Sequence, residues 1–466
     1  MTMLNRMNGF ITLGGRGVGA AAAGPTYDYY IDDTTGSDAA AGTVGAPWQS
    51  LNKINAIALG AGATVSVLVK ATSTYDKATD YIKRTDSSGG GAIGAGSTLN
   101  ITFESGCTMD GTAISAISPE NGLEFDGAAA HTTNVISLAA VGAGGLIVQN
   151  YNSTSGGASA NGVSNRGNNT LNVSNVRVTG CVDGFSAHET ATMNLLDCEA
   201  DECIKAPFIH VGTAVITAER CLFTEKSGGG TAEMDITDTT STVDVTCTEC
   251  EFIPDGTSSR MRAGGVTFIQ CEVGDLDSAC NIQRTSGQAA PVFTKCFVNT
   301  YIDGSYSATM TECFGKFGHR VRSGGTQIIE YNSFTGPASA QTAMISGTTD
   351  QGNDTLVFNN NIVETATAAA FMNVNGTAAP KLAAGGAQFQ YNCLSGSAAF
   401  DADYISADSG GTGRTGTITA DALIGAGNTL AMTDYAFASG SPCIGAGEGG
   451  TDIGFGSGEV VTVGVP

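Results

Sequence analysis

A six-residue phrase, apolar-x-x-(Cys or Asn)-x-apolar, returns again and again between Ile147 and Leu394. Its central residue is in turn Asn150, Cys181, Cys198, Cys221, Cys250, Cys271, Cys296, Cys313, Asn332, Asn361 and Asn392. The position three before is apolar in every copy, from Ile147 to Phe389, and the later copies are apolar two after, as at Phe223, Phe252, Val273 and Leu394. Ten steps cover 242 residues, about 24 per step, with gaps from 17 to 31. A unit this short cannot bury its own apolar face, so neighbouring copies must stack and share one core. Short Val, Ile, Phe and Thr runs broken by Gly, Ser, Asn and Asp make each copy a coil of strands rather than a helix pair. The expected fold is an all-β solenoid of parallel strands. At roughly 4.8 Å per coil, about a dozen coils from Leu99 to Leu394 give a rod on the order of 55 to 60 Å long.

The two apolar positions of the phrase lie an odd number of residues apart, which plain alternation cannot satisfy. The chain therefore bends inside the phrase. A small inward side chain at the bend stacks on its equivalents above and below, and Asn can also hydrogen-bond along the stack and tolerate a left-handed backbone. Free Cys is the apolar counterpart. With the ladder residue pointing in, its immediate neighbours are expected to point out.

At 466 residues an ordinary globular chain would divide into two or three domains, which a solenoid does not require. A net charge of −23 argues against nucleic-acid binding, which needs Lys and Arg against phosphates, and favours solubility. The 13 cysteines are odd in number, and the seven in the phrase plus Cys247 fall on core-facing columns, so they read as buried thiols. Cys247-x-x-Cys250 lacks the second pair that a zinc site needs. No metal and no cofactor is expected. No apolar run reaches membrane-spanning length, so no membrane insertion is expected either.

Residues 1–26 form a Gly/Ala-rich arm carrying Arg6 and Arg16 and no acid. Gly14, Gly15, Arg16 and Gly17 interrupt what would be the apolar core of a signal peptide. Such an arm should not fold alone, and it is expected to anchor the rod to a partner. The expected organisation is arm (1–26), solenoid (27–456) and a tail or edge strand (457–466).

Tyr29, Tyr30, Ile31, Asp32, Gly36, Ser37, Asp38, Gly42, Pro47, Trp48, Leu51 and Ile54 resemble the opening motif of right-handed parallel β-helix proteins of the pectate-lyase-like superfamily. Ser441, Pro442, Ile444, Gly447, Asp452, Ile453 and Gly454 resemble that family's closing phrase, with Gly445 where the family often has Asp. The resemblance covers residues 28–456. It implies a right-handed parallel β-helix, in keeping with the general handedness of parallel crossovers, and a short capping helix that carries Leu51, Ile54 and Ile57. It speaks for fold rather than function.

Enzymes of that superfamily work on the outer wall, with a basic residue and Asp-bound calcium or with paired acids. The hydrolase signatures are missing, and His131, His188, His210 and His319 are scattered. The remaining catalytic candidates are Glu251 and Glu272, expected on consecutive coils one strand spacing apart, near the carboxyl separation of a retaining glycosidase. The preferred reading of that column is a solvated charge ladder with Arg220 and Lys295 interleaved. Farther along, Phe297, Phe314, Tyr331 and Tyr391 are expected to point outward, as a subunit interface or as platforms for sugar rings. The resemblance and the basic arm together suggest a phage virion protein of tailspike, fibre or capsid-decoration type. It would be a homotrimer, joined to other virion proteins through the arm and contacting host surface polysaccharide. The alternatives are a glycan depolymerase on a tailspike and a secreted bacterial adhesin located outside the cell.

Overall fold

The computed structural model describes residues 26–70, 74–76, 81–85, 94–111, 122–127, 134–142, 144–151, 161–203, 206–225, 233–236, 244–254, 258–274, 279–283, 288–303, 307–321, 326–335, 343–347, 355–364, 370–374, 387–388, 390–395, 418–419 and 439–454. They form a right-handed parallel β-helix. The first wall holds 14 strands in parallel, from Tyr29–Ile31 to Ala387–Gln388. At roughly 4.8 Å per step it is about 60 Å long. The second wall runs from Thr74–Asp76 to Ile418–Thr419, and a third of five strands runs from Ile82–Thr85 to Ala206–Gly212.

Strands pair in register, so like positions stack into columns. On the inner face of the first wall, Leu195, Ala218, Cys247, Phe268, Phe293, Met310, Ile329 and Phe358 follow one another and are all buried. The Phe268 and Phe293 rings stack at 4.8 Å between centroids. Each Leu, Ile, Met or Phe side chain in the column contributes roughly 1.5–3 kcal/mol through burial, which adds to the cohesion between coils.

The corner between the first and second walls explains the phrase. One residue per coil takes a left-handed backbone there: Asn175, Asp197, Arg220, Glu249, Gln270, Lys295, Glu312, Tyr331, Asn360 and Tyr391, with φ between 50° and 61°. That turn brings the next residue to the interior. The next residues are Val176, Cys198, Cys221, Cys250, Cys271, Cys296, Cys313, Asn332, Asn361 and Asn392, all buried. The left-handed position is thus one before the ladder residue, not the ladder residue itself.

The first two copies of the phrase belong elsewhere. Val176 pairs with Leu146, and Arg177 with Glu199, so Val176 and Leu146 hold the ladder positions in their coils. Asn150 and Cys181 lie at the opposite corner, between the second and third walls. There Asn150, Gly180 and Glu202 are the left-handed residues, and Tyr151, Cys181 and Cys203 form a second buried column.

Asn52–Asn55 is the expected capping helix, and Leu51, Ile54 and Ile57 are buried beneath it. Its C-terminal carbonyls are met by Arg84, which donates to Ile54 O at 2.5 Å and Ile57 O at 2.9 Å. Burial of that guanidinium lowers its pKa to about 10. In the opening motif, Tyr29 stacks on Trp48 at 4.5 Å. Asp38 accepts from Gln49 N, Ser50 N and Ser50 Oγ, which ties the turn to the cap.

At the far end, residues 439–454 fold back on the outer face of the second wall. Cys443 and Ile453 pack against Ile362 and Cys393, and Gly454 N donates to Asn360 O. A Cβ on Gly454 would strike Ile362 Cγ1 at 2.5 Å and Ser333 Oγ at 3.1 Å, so that face is closely covered.

Candidate functional site

The middle outward row of the first wall is polar from coil to coil: Ser66, Asn100, Ser137, Asn172, Asn194, Thr217, Thr246 and Thr267. Alternation puts them outside because Leu171, Met193, Ile216 and Val245, each one residue earlier, fill the core. Neighbours along the row are hydrogen-bonded. Thr217 Oγ1 donates to Asn194 Oδ1 at 2.7 Å, and Asn194 Nδ2 donates to Asn172 Oδ1 at 2.8 Å. These bonds orient the amides while leaving lone pairs and N–H groups free for a ligand.

A shallow groove of about 540 Å³ lies over this stretch, bordered by Asn172, Asn194, Leu196, Thr217, Glu219 and Thr246. Leu196 is an exposed large aliphatic side chain within it. At the corner beside the groove, Arg220 binds Asp197 with two hydrogen bonds, Nε to Oδ1 at 2.8 Å and Nη2 to Oδ2 at 3.1 Å, and also contacts Glu219. The Asp197 hydrogen bond is the main reason that the Arg220 pKa is raised.

Around that corner, the second wall carries its own charge cluster. Arg177 pairs with Asp201 at 2.5 Å and with Glu199 at 3.5 Å. Burial raises the Glu199 carboxyl, and Arg177 works against that rise. Two coils nearer the N-terminus than Arg177, in the row of Asp201, Asp110 accepts from Gln149 Nε2 at 2.8 Å and Asn150 Nδ2 at 3.1 Å. Among the described residues no three His, Cys, Asp or Glu side chains converge as a metal site would.

Glu251 and Glu272 are indeed partners on adjacent strands of the second wall. The pair is not equally open, however. Glu251 is half-buried, while Glu272 is only 3% exposed. The outward column changes from charged to enclosed at that point. Phe297 and Phe314, which follow Glu272, are 1% and 0% exposed and meet edge to face at 5.6 Å. Their expected exposure is therefore corrected. The next positions in the column, Ser333, Ile362 and Cys393, are also buried, and the closing segment reaches Ser333. Tyr331 and Tyr391 are half-buried at left-handed corner positions, φ 61° and 55°, and not on the flat of a wall. Arg6 and Arg16 lie outside the described residues.

The polar row of the first wall was missed on the sequence alone, although it has a signal. Thr-x-Asn occurs at Thr98–Asn100, Thr170–Asn172 and Thr192–Asn194, each a few residues before a corner.

No family model matches the chain, and no curated protein matches it. Among solved structures, the chain is similar to the GH136 lacto-N-biosidase from Eubacterium ramulus. For the native protein the TM-score is 0.31 at 10% identity, over 74% of this chain and 65% of that one. The selenomethionine derivative gives 0.31 and 10% over 78% and 67%. A likeness of that size carries no argument about activity.

Proposed function

We propose that the protein is a non-enzymatic adhesion rod of phage-virion type that lays its first wall against a surface polysaccharide. The observation that carries this reading is the outward row from Ser66 to Thr267, with amides or hydroxyls on eight successive coils and a shallow groove over its middle. Donors and acceptors on a rigid sheet, repeated every 4.8 Å or so, suit a long polyhydroxyl chain, and Leu196 adds an apolar contact for a sugar face. Ordering such a surface costs little, because its side chains are already hydrogen-bonded to one another.

Catalysis is the poorer fit. Asp197 and Glu219 beside the groove are engaged with Arg220, Glu199 and Asp201 on the second wall are engaged with Arg177, and Glu272 is enclosed. A retaining pair needs both carboxyls open to one glycosidic bond. The homotrimer and the anchoring role of residues 1–26 belong to the same proposal.

The test is binding of the full chain to a panel of bacterial surface polysaccharides, with Asn194→Leu/Thr217→Val as the variant. Both side chains point away from the core, so the variant should fold as the parent does by circular dichroism. Binding should weaken by about tenfold or more, the equivalent of roughly 1.4 kcal/mol of lost hydrogen bonding. Unchanged binding would remove the first wall as the recognition surface. Release of new reducing ends, abolished by Glu251→Gln, would put a depolymerase in place of the adhesin.

A further inference from the structure

Two cysteines differ from the rest in what surrounds them. Cys393 stands on the outer column of the second wall, next to Ile362, and Cys443 lies in the closing segment. Both are fully buried, and together with Ile362 and Ile453 they make a small apolar cluster separate from the rod's core. Their thiols are in hydrogen-bonding contact. The contact joins parts of the chain that are 50 residues apart, and it is where the closing segment meets the coil that it covers.

The ladder thiols sit differently. Cys221, Cys250, Cys271, Cys296 and Cys313 each donate to the carbonyl two residues earlier, at 3.3–3.5 Å, and are enclosed by coils on both sides. An oxidant reaches them only if the rod opens. The closing segment is instead irregular, with one 3-10 turn at Glu448–Gly450. Hydrogen bonds to Asn360, from Gly454 N and from Glu448 N at 3.1 Å, help to hold it to the coil. Segments held in this way open locally at far lower cost than a packed core.

We propose that Cys393 and Cys443 are a disulfide-forming pair, a covalent clasp that fastens the closing segment to the last coils when a low-molecular-weight disulfide such as oxidised glutathione is present. With the segment open, the Cys443 thiolate attacks one sulfur of glutathione disulfide and expels one glutathione thiolate. On closure, the Cys393 thiolate attacks the Cys443 sulfur of the mixed disulfide and expels the second. Two protein S–H bonds are lost and one S–S bond forms, and glutathione disulfide is reduced to two glutathiones that take up both protons. The first step suits Cys443, since hydrogen bonds from Cys393 and then Ser441 lower its pKa against the effect of burial. Burial pushes the ladder thiols of Cys221, Cys271 and Cys296 the other way, well above their ordinary value. Thiolate content and access both select the same cysteine.

The experiment incubates the full chain in buffers of increasing oxidised-to-reduced glutathione ratio, blocks free thiols with N-ethylmaleimide, and maps peptides by mass spectrometry without reduction. The expected product is a Cys393–Cys443 peptide pair lighter by two hydrogens, with Cys198 through Cys313 blocked only after denaturation. Proteolysis near residues 439–454 should slow on oxidation in the parent and not in Cys443→Ser or Cys393→Ser. Both cysteines blocked as free thiols at every ratio would overturn the proposal. So would oxidation-dependent protection that persists in Cys443→Ser, or cross-linking confined to the ladder.

Discussion

One corner column is built from thiols in its middle coils and from amides in its last ones, and the change occurs between Cys313 and Asn332. The backbone demand is the same on both sides. In the amide part, Cys313 N, Asn332 N and Asn361 N each donate to the Oδ1 of the next coil's Asn, at 2.7–3.0 Å. The Nδ2 groups of Asn332, Asn361 and Asn392 donate back to Met310 O, Ile329 O and Phe358 O. In the thiol part, the N–H of Cys198, Cys250 and Cys271 faces the sulfur of the following coil, and the S–H returns to a carbonyl. The socket is one geometry filled in two ways. Sulfur fills it with weak hydrogen bonds and a dry, forgiving contact. An amide fills it with strong ones that all have to be present.

The largest way to separate the two parts is alkaline pH in reducing buffer. Burial raises the thiols of Cys198, Cys221, Cys247, Cys271 and Cys296 well above their ordinary value, and Cys107 to about 12. An unfolded thiol ionises near pH 8.5. Folded thiols with a raised pKa keep protons that the unfolded chain gives up, so their contribution is complete below about pH 8.5 and is lost as pH rises toward the folded values. The loss approaches about 1.4 kcal/mol per thiol for each pH unit. Melting temperature should fall steeply from pH 8.5 to 10.5, and hydrogen exchange should open the Cys198–Cys313 coils before those of Asn332–Asn392. A flat profile would mean that these thiols ionise in place.

The second test works on single residues. Asn361→Leu removes the acceptor of Asn332 N and Nδ2 at 3.0 and 2.9 Å and the donor to Ile329 O at 2.8 Å. Orphaned buried groups cost about 1–3 kcal/mol each, so a loss of roughly 4 kcal/mol is expected by denaturant titration. Cys313→Asn should cost less than about 1 kcal/mol, because it extends an amide stack that already begins at its own N–H. Equal costs for the two variants would show that hydrogen bonding does not distinguish the halves of the column.

Much of this was legible in the sequence, and the errors have physical causes. The ladder from Cys198 to Asn392 was readable because bends force one small inward residue per coil. Asn150 and Cys181 were misassigned because a second corner, with Tyr151, Cys181 and Cys203, obeys the same rule and leaves a similar phrase. The capping helix was readable from Leu51, Ile54 and Ile57, which are local. The enclosure of Phe297 and Phe314 was not, since alternation says which face a side chain takes and not whether that face is covered. Farther along the rod the cover comes from distant chain, where Glu448 N reaches Asn360 Oδ1 across 88 residues. The polar row of the first wall was overlooked because Thr-x-Asn is also what any half-exposed strand looks like.

The smallest expected effect concerns the left-handed corner that both halves share. A residue other than glycine pays roughly 1–2 kcal/mol for that backbone. Gln270 takes it with φ 54° in the thiol half and is half-buried. Gln270→Gly should relieve that strain, and the extra freedom that glycine gives the unfolded chain offsets most of the gain, by about 0.5–1 kcal/mol. The net result is a rise of roughly 1 °C in melting temperature. Arg220→Gly, at the equivalent corner, should gain less, because it also gives up the ion pairs with Asp197 and Glu219, worth up to about 1 kcal/mol at an exposed site. Gln270→Val should fall below the parent, since a β-branched side chain fits that conformation worst. If Gln270→Gly proved less stable than the parent, the corner would owe its hold to side-chain packing, and the ladder's register would depend on the left-handed column as much as on the thiols and amides behind it.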